Sequence, residues 1–393
     1  MAERDSHSRQ TWITGIGIVS CLGEGLDAHW QGLNAPPPAA DATSFAPYIV
    51  HRVVPLEFDK QIAKKGDQRQ MEPWQRIGTY AAGLALDSAG VKGKPEFLSR
   101  MDMIVAAGGG ERDAQVDLNV AANVDKAAKA EAFVNERLMN DLRPTLFLAQ
   151  LSNLLAGNIS IVHGVTGSSR TFMGEESAGV EAVRVAHARI QANQSELALV
   201  GGAYNAERWE VMLHFALGRR LARGEPKSVW DRQGMELGTI GAFLVLEEKA
   251  HAQARGAKPF ARIAAVASDH VKRTPGAVTA ALDTMWGKIA PRLDAATAAV
   301  ISGASGVAPA TAEERAFLER QNLAVRATGT HLGHGLEPQF PANIALAAAA
   351  LGAGRLYPGD ASDKAMDAGL RQVAVTSIGH WRGEGLALIE AID

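Results

Sequence analysis

The sequence predicts an α/β protein made of two similar halves. Short apolar runs alternate with longer stretches of helical spacing, which is the α/β pattern. The same succession restarts near residue 260. Hydrophobic residues make up 47% of the 393 positions and 40 are glycine, enough for a large core with closely packed helices and sheets. A chain of this length exceeds one average domain. It is expected to divide into halves over 1–256 and 257–393, joined in one body, because no low-complexity linker separates them.

Taken in order, residues 12–19 read as a buried strand whose glycines permit bends. Residues 74–89 carry apolar positions at helical spacing (Ile77, Tyr80, Ala81, Leu84) and stop at Gly90. A strand is expected at 103–107, a helix at 147–162 and another at 177–192. Strands follow at 197–200, 240–246 and 260–267. The second half then gives a helix at 277–289, a strand at 298–301, helices at 312–320 and 344–351, and strands at 373–377 and 386–390. Residues 35–40 and 358–364 are the clearest surface loops.

Composition narrows the function. The net charge of −3 offers no general attraction to nucleic acid or an anionic membrane. Cys21 is the only cysteine, so neither an intramolecular disulfide nor a cysteine metal cluster can form, which suits a reducing cytoplasm. The first ten residues are polar and are not expected to act as a signal peptide. The apolar run at 344–354 is too short and alanine-rich to span a bilayer.

The strongest local signal surrounds residue 176. Phe172 and Met173 end an apolar segment, followed by Gly174-Glu175-Glu176-Ser177-Ala178-Gly179. A tight strand-to-helix turn lifts one side chain above a sheet and points a helix N-terminus at it. Carboxylates are favoured there. Read locally, Glu175 and Glu176 are either ordinary first-turn acids or the centre of a site.

Longer motifs favour a site. Residues 12–23 (WITGIGIVSCLG), 68–71 (QRQM), 153–167 (NLLAGNISIVHGVTG), 230–234 (WDRQG) and 237–248 (LGTIGAFLVLEE) resemble, in the same order, the signatures of β-ketoacyl-acyl-carrier-protein synthases of the elongating type. The resemblance runs from residue 11 to the C-terminus. It implies the thiolase fold, an α/β architecture of duplicated βαβαβ halves in five layers, αβαβα. The segment 203–208 and the alanine-rich style also resemble the α-proteobacterial branch that makes very-long-chain fatty acids for lipid A.

That family's catalytic set is a cysteine, two histidines and a lysine. Carried over position by position, the cysteine place holds Glu176 and the first histidine place holds Ser302. The lysine place holds Gly329. His334, in Gly333-His334, keeps the second histidine, and His380 stands at the C-terminal gating phenylalanine. A small-residue turn after the second histidine is replaced by Glu337-Pro338-Gln339-Phe340.

The family reaction needs a thiolate that attacks and leaves as a thioester partner. A glutamate could form only a high-energy anhydride. Ser302 donates one hydrogen bond and is a weaker electrophile than an imidazole. Cys21, in the loop after the first strand, is expected to be a buried small apolar side chain. Glu176 could lock an inert site by filling its oxyanion hole through backbone N–H groups near 176 and 380, or it could imitate a bound carboxyl and leave decarboxylation alone. Burial would raise its pKa and N–H bonds would lower it. His334 is equally readable as a structural histidine. His331 and His334 lack the acidic or cysteine companions of a metal site, and no cofactor is expected.

By the same resemblance the protein is a dimer. A chain without the nucleophile is best explained by pairing with a competent paralogue in a heterodimer, this chain shaping the acyl pocket. The alternatives are an active synthase with rearranged chemistry and an acyl- or carrier-binding scaffold, possible as a homodimer. The pairing edge would be a strand at 171–174. Acyl carrier proteins are acidic, so docking would use Lys64, Lys65 and Arg69, or Arg219, Arg220, Arg223 and Lys227. Both clusters are also readable as solvated charged faces.

Overall fold

The computed structural model describes residues 9–142, 146–359 and 364–392. Ten strands form the main path of its sheet: β1 (Thr11–Ser20), β2 (Asp102–Ala106), β3 (Ser169–Phe172), β4 (Leu197–Tyr204), β5 (Ile240–Glu248), β6 (Ala261–Asp269), β7 (Ala298–Ser302), β8 (Ala324–Ala327), β9 (Gln372–Ile378) and β10 (Glu384–Glu390). Seven helices matter for the site: α1 (Pro73–Ser88), α2 (Leu154–His163), α3 (Glu176–Gln191), α4 (Trp209–Leu217), α5 (Ala277–Ile289), α6 (Ala310–Gln321) and α7 (Gln339–Ala353).

The sheet order is β8-β7-β9-β10-β6-β1-β5-β4-β2-β3. Strands β1 to β5 are arranged third-second-fourth-fifth-first, and β6 to β10 repeat that order. In each set the first two ladders are parallel and the next two antiparallel. The sets join where β1 pairs with β6 antiparallel.

Three apolar clusters sandwich these strands. α3 and α7 share one cluster with β1, β4, β5, β7, β9 and β10. α1 and α2 pack on the opposite face of β1, β2, β4 and β5. α5 and α6 cover the outer face of β6, β7, β9 and β10. The layers therefore run helix, sheet, helix, sheet, helix. Close approach explains the glycine in the middle of β1: a Cβ on Gly17 would stand 2.0 Å from the Ala81 carbonyl oxygen of α1.

Several expected boundaries move, each for a local reason. The long helix begins at Pro73, and 68–71 belong to a separate short helix (Lys65–Gln70) and its exit. Pro73 disfavours helical backbone at the residue before it, and Glu72 with Gln75 closes a capping box. The helix expected at 147–162 splits into Leu146–Ala149 and α2. Between them the Ser152 hydroxyl donates to the Gly108 carbonyl and Gly110 N–H to that of Gln150. The strand expected at 171–174 lies at Ser169–Phe172, because Gly174 and Glu175 turn with φ of 137° and 57°. Two helices, Ala114–Asn123 and Ala130–Asp141, had no clear sequence signal; their mixed polar surfaces bury little. Residues 35–40 are mostly exposed loop; 360–363 of the second expected loop lie outside the described residues. Among the described residues no helix is long and apolar enough to cross a membrane.

Candidate active site

β3 ends, the chain turns through Gly174 and Glu175, and α3 opens with Glu176. A non-glycine residue at positive φ is uncommon and marks a tight turn. The turn buries Glu176, which is 1% exposed.

Two imidazoles and one backbone amide converge on its carboxylate. His334 Nε2 donates to Oε1 at 2.8 Å. The His380 backbone N–H donates to the same oxygen at 3.1 Å. His380 Nδ1 lies 3.0 Å from Oε1 and 3.2 Å from Oε2. The other nitrogen of His380 faces the Glu175 carboxylate at 3.6 Å, and the Trp381 indole donates to that carboxylate. The Phe215 ring stands edge-on to His380 at 5.3 Å.

Burial alone would raise the Glu176 pKa, but the His380 charge and the bonds from His334 and His380 hold it well below the ordinary carboxylate value. Burial alone would lower His380; the Glu176 charge and hydrogen bond, then Glu175, raise it instead. Each group thus favours the charged form of the other: the Glu176 carboxylate is held ionised, and the His380 imidazole is biased towards its protonated form. Glu175, Glu176 and His380 bring potential metal-ligand atoms within 4.8 Å of one another. With each imidazole nitrogen facing a carboxylate, that convergence reads as a cation held between two anions. The expected pocket of backbone N–H groups is corrected in one respect: Glu176 takes its hydrogen bonds from His380 N and two side chains, not from an N–H at 176.

Ser302, at the end of β7, is fully buried but turned away from Glu176. Its hydroxyl donates to Glu314 Oε1 at 2.8 Å and accepts from Ala304 N at 3.1 Å. The Thr376 hydroxyl also donates to Glu314. Burial, only partly offset by those bonds, raises the Glu314 pKa to about 7. At Gly329 a Cβ would stand 3.0 Å from the Ala304 carbonyl and 3.2 Å from the Arg232 guanidinium, which is itself paired with Glu236.

Glu337 is buried beside this centre, and its pKa is raised to about 8, first by burial and then by the Glu175 and Glu176 charges. Sequence reasoning noticed the substituted turn but missed Glu337 and Glu314 as site groups. The cue for Glu337 was an acid where small residues were expected. Glu314 had none, since it is one of three acidic residues among the twelve of α6, with Glu313 and Glu319 and with Arg315 and Arg320 interleaved.

His331 does not join His334: its ring packs edge-on to Tyr357. Cys21 donates its thiol to the His331 carbonyl, and burial raises it to about 12, so it stays a thiol. Lys64, Lys65, Arg69, Arg219, Arg223 and Lys227 are exposed and Arg220 is half-buried. Lys65 is paired with Asp59.

Comparison with known proteins agrees with this architecture. Residues 9–252 match the family model for the β-ketoacyl synthase N-terminal domain, so the chain belongs to the β-ketoacyl synthase family. It is 27% identical over 268 residues to the 3-oxoacyl-[acyl-carrier-protein] synthase 2 of Vibrio harveyi, a match that covers 65% of this chain and 61% of that protein. Two solved structures share the fold. The ishigamide ketosynthase/chain length factor superposes with a TM-score of 0.79 at 19% identity, over 98% of this chain and 100% of that one. A type II polyketide ketosynthase in complex with its acyl-carrier protein gives 0.75 at 16% identity, over 98% and 100%.

Proposed function

We propose that this chain is a non-condensing, chain-length-factor-like subunit of an acyl-chain-building β-ketoacyl synthase. The observation that carries this reading is the clamp on Glu176. We read Glu176 as standing at the family's cysteine position, His334 at the second histidine and His380 at the gate. An ionised carboxylate locked by two imidazoles is a poor nucleophile, and an acyl group transferred to it would be a reactive anhydride. Ser302, at the first histidine position, directs its hydroxyl to Glu314. Both imidazoles that could steady an enolate oxygen are engaged by Glu176.

A pairing surface supports a partner. β3 is an edge strand with a single neighbour. Met173 follows it exposed, and Trp209, Leu213 and Leu217 stand exposed at four-residue spacing on α4. Exposed apolar clusters of this kind mark association surfaces. The partner we infer is a cysteine-bearing paralogue, with Lys64, Lys65, Arg69, Arg219 and Arg220 receiving an acidic carrier protein. We take 1–256 and 257–393 as two halves of one body.

The test is co-expression with a cysteine-bearing synthase from the same genome, followed by assays of each chain and of the pair. The pair is expected to co-purify and to give a product length that the active chain alone does not. Failure to pair, with carrier still bound, would favour a scaffold.

A further inference from the structure

Beside the Glu176 centre lies a cavity of about 280 Å³ bounded by Trp74, Gly108, Glu175, Tyr204, Phe215 and Glu337. Phe215 and Glu175 form its border with His380. The volume is at the lower end for ligand pockets, which suits a short group better than a long one.

Three of its wall residues are buried and each has a polar atom without a hydrogen-bond partner among the described residues: Trp74 Nε1, Tyr204 Oη and Glu337 Oε2. Such groups are rare in folded proteins and call for an occupant. All three are donors. An indole N–H can only donate. Burial keeps the Tyr204 phenol protonated. Burial and the neighbouring carboxylates keep Glu337 a neutral acid, so that one of its oxygens carries a proton. The wall therefore asks for acceptor oxygens. It does not ask for an anion: Glu175 and Glu210 also line it, and Arg208 is paired with Glu210 and the Gly110 carbonyl.

We propose that this cavity takes a neutral oxygen-bearing group, a ketone or hydroxyl on an acyl segment, through Trp74, Tyr204 and Glu337. The acyl chain this protein accommodates is thus oxygenated near the site and not a plain alkyl chain. This rests on the acyl-handling reading above and adds the substrate class.

The experiment compares binding of S-(3-oxohexanoyl)- and S-hexanoyl-N-acetylcysteamine to the purified full chain by saturation-transfer NMR titration. The 3-oxo probe is expected to bind at least tenfold more tightly. Tyr204→Phe, which removes one hydroxyl and keeps the ring, should cut that preference at least threefold, and so should Glu337→Leu, with folding checked by circular dichroism. Equal binding of the two probes, binding of neither, or a preference unchanged in Tyr204→Phe would overturn the proposal. If the preference is missing while the chain still pairs with a synthase and shifts product length, the subunit reading survives and this one falls. If the preference is present and no synthase pairs, the reverse holds.

Discussion

The Glu176 carboxylate and the His380 imidazole titrate in opposite directions, and that sets where the clamp contributes to stability. A lowered carboxylate pKa adds stability that is present above the ordinary value and lost as pH falls through the folded one. A raised imidazole pKa adds stability that is present below the ordinary value and lost as pH rises through the folded one. Both contributions coexist between the two ordinary values, about pH 4.5 to 6.5. Removing one member of a buried ion pair costs about 3 kcal/mol. Chemical denaturation across pH should therefore show Glu176→Ala losing about that much at pH 6, with the deficit narrowing as pH rises through the raised pKa of His380. A deficit that keeps growing with pH would contradict the pairing. Glu314 works the other way. Its raised pKa, about 7, disfavours the folded state increasingly as pH rises above the ordinary carboxylate value. Glu314→Gln can still accept from Ser302 and Thr376 and carries no charge. It should be near neutral at pH 5 and stabilising by about 3 kcal/mol at pH 8, at 1.36 kcal/mol per pKa unit. The same denaturation series reads this out.

At the level of elements, close packing and edge exposure make separate demands. Gly17 lets α1 lie directly on β1, so Gly17→Ala drives a methyl into the Ala81 carbonyl. Overpacking of this kind costs about 1–3 kcal/mol when the structure can yield, and here the obstacle is backbone. A large drop in melting temperature, or insoluble expression, is the expected result. The exposed apolar stripe of α4 makes no such demand on folding. Leu213→Glu, at a position 60% exposed, should leave the melting temperature of the separate chain nearly unchanged while weakening assembly with a partner at least tenfold. Analytical ultracentrifugation of the mixed subunits measures this. Undiminished pairing would move the interface elsewhere.

For the whole molecule, most of the repeating succession of strands and helices was legible because periodicity and glycine punctuation act locally, although the short edge strand β8 was not expected. The strands at 12–19, 240–246 and 298–301 fall within β1, β5 and β7, and the helix at 277–289 is α5. What escaped was set by tertiary contact. The turn at Gly174 and Glu175 ends β3 two residues early, and polar packing against 108–110 breaks the helix before α2. α7 begins at Gln339, five residues before its apolar run, because Gln339 is buried and bonded to Gly335, Thr328 and Asn343. The site was legible as a set of positions. Its connections were not: residues 176, 334 and 380 meet only in three dimensions, and nothing local indicates that Ser302 turns to Glu314. The central claim is that Glu176, held as an ionised carboxylate by His334 and His380, leaves this chain without condensing activity of its own. Intact-protein mass spectrometry of the purified chain, incubated with acyl-carrier and malonyl-carrier thioesters, tests it most directly. The account expects no acyl adduct on the chain and no 3-oxoacyl product. An adduct, or a product that disappears in Glu176→Ala, would contradict it.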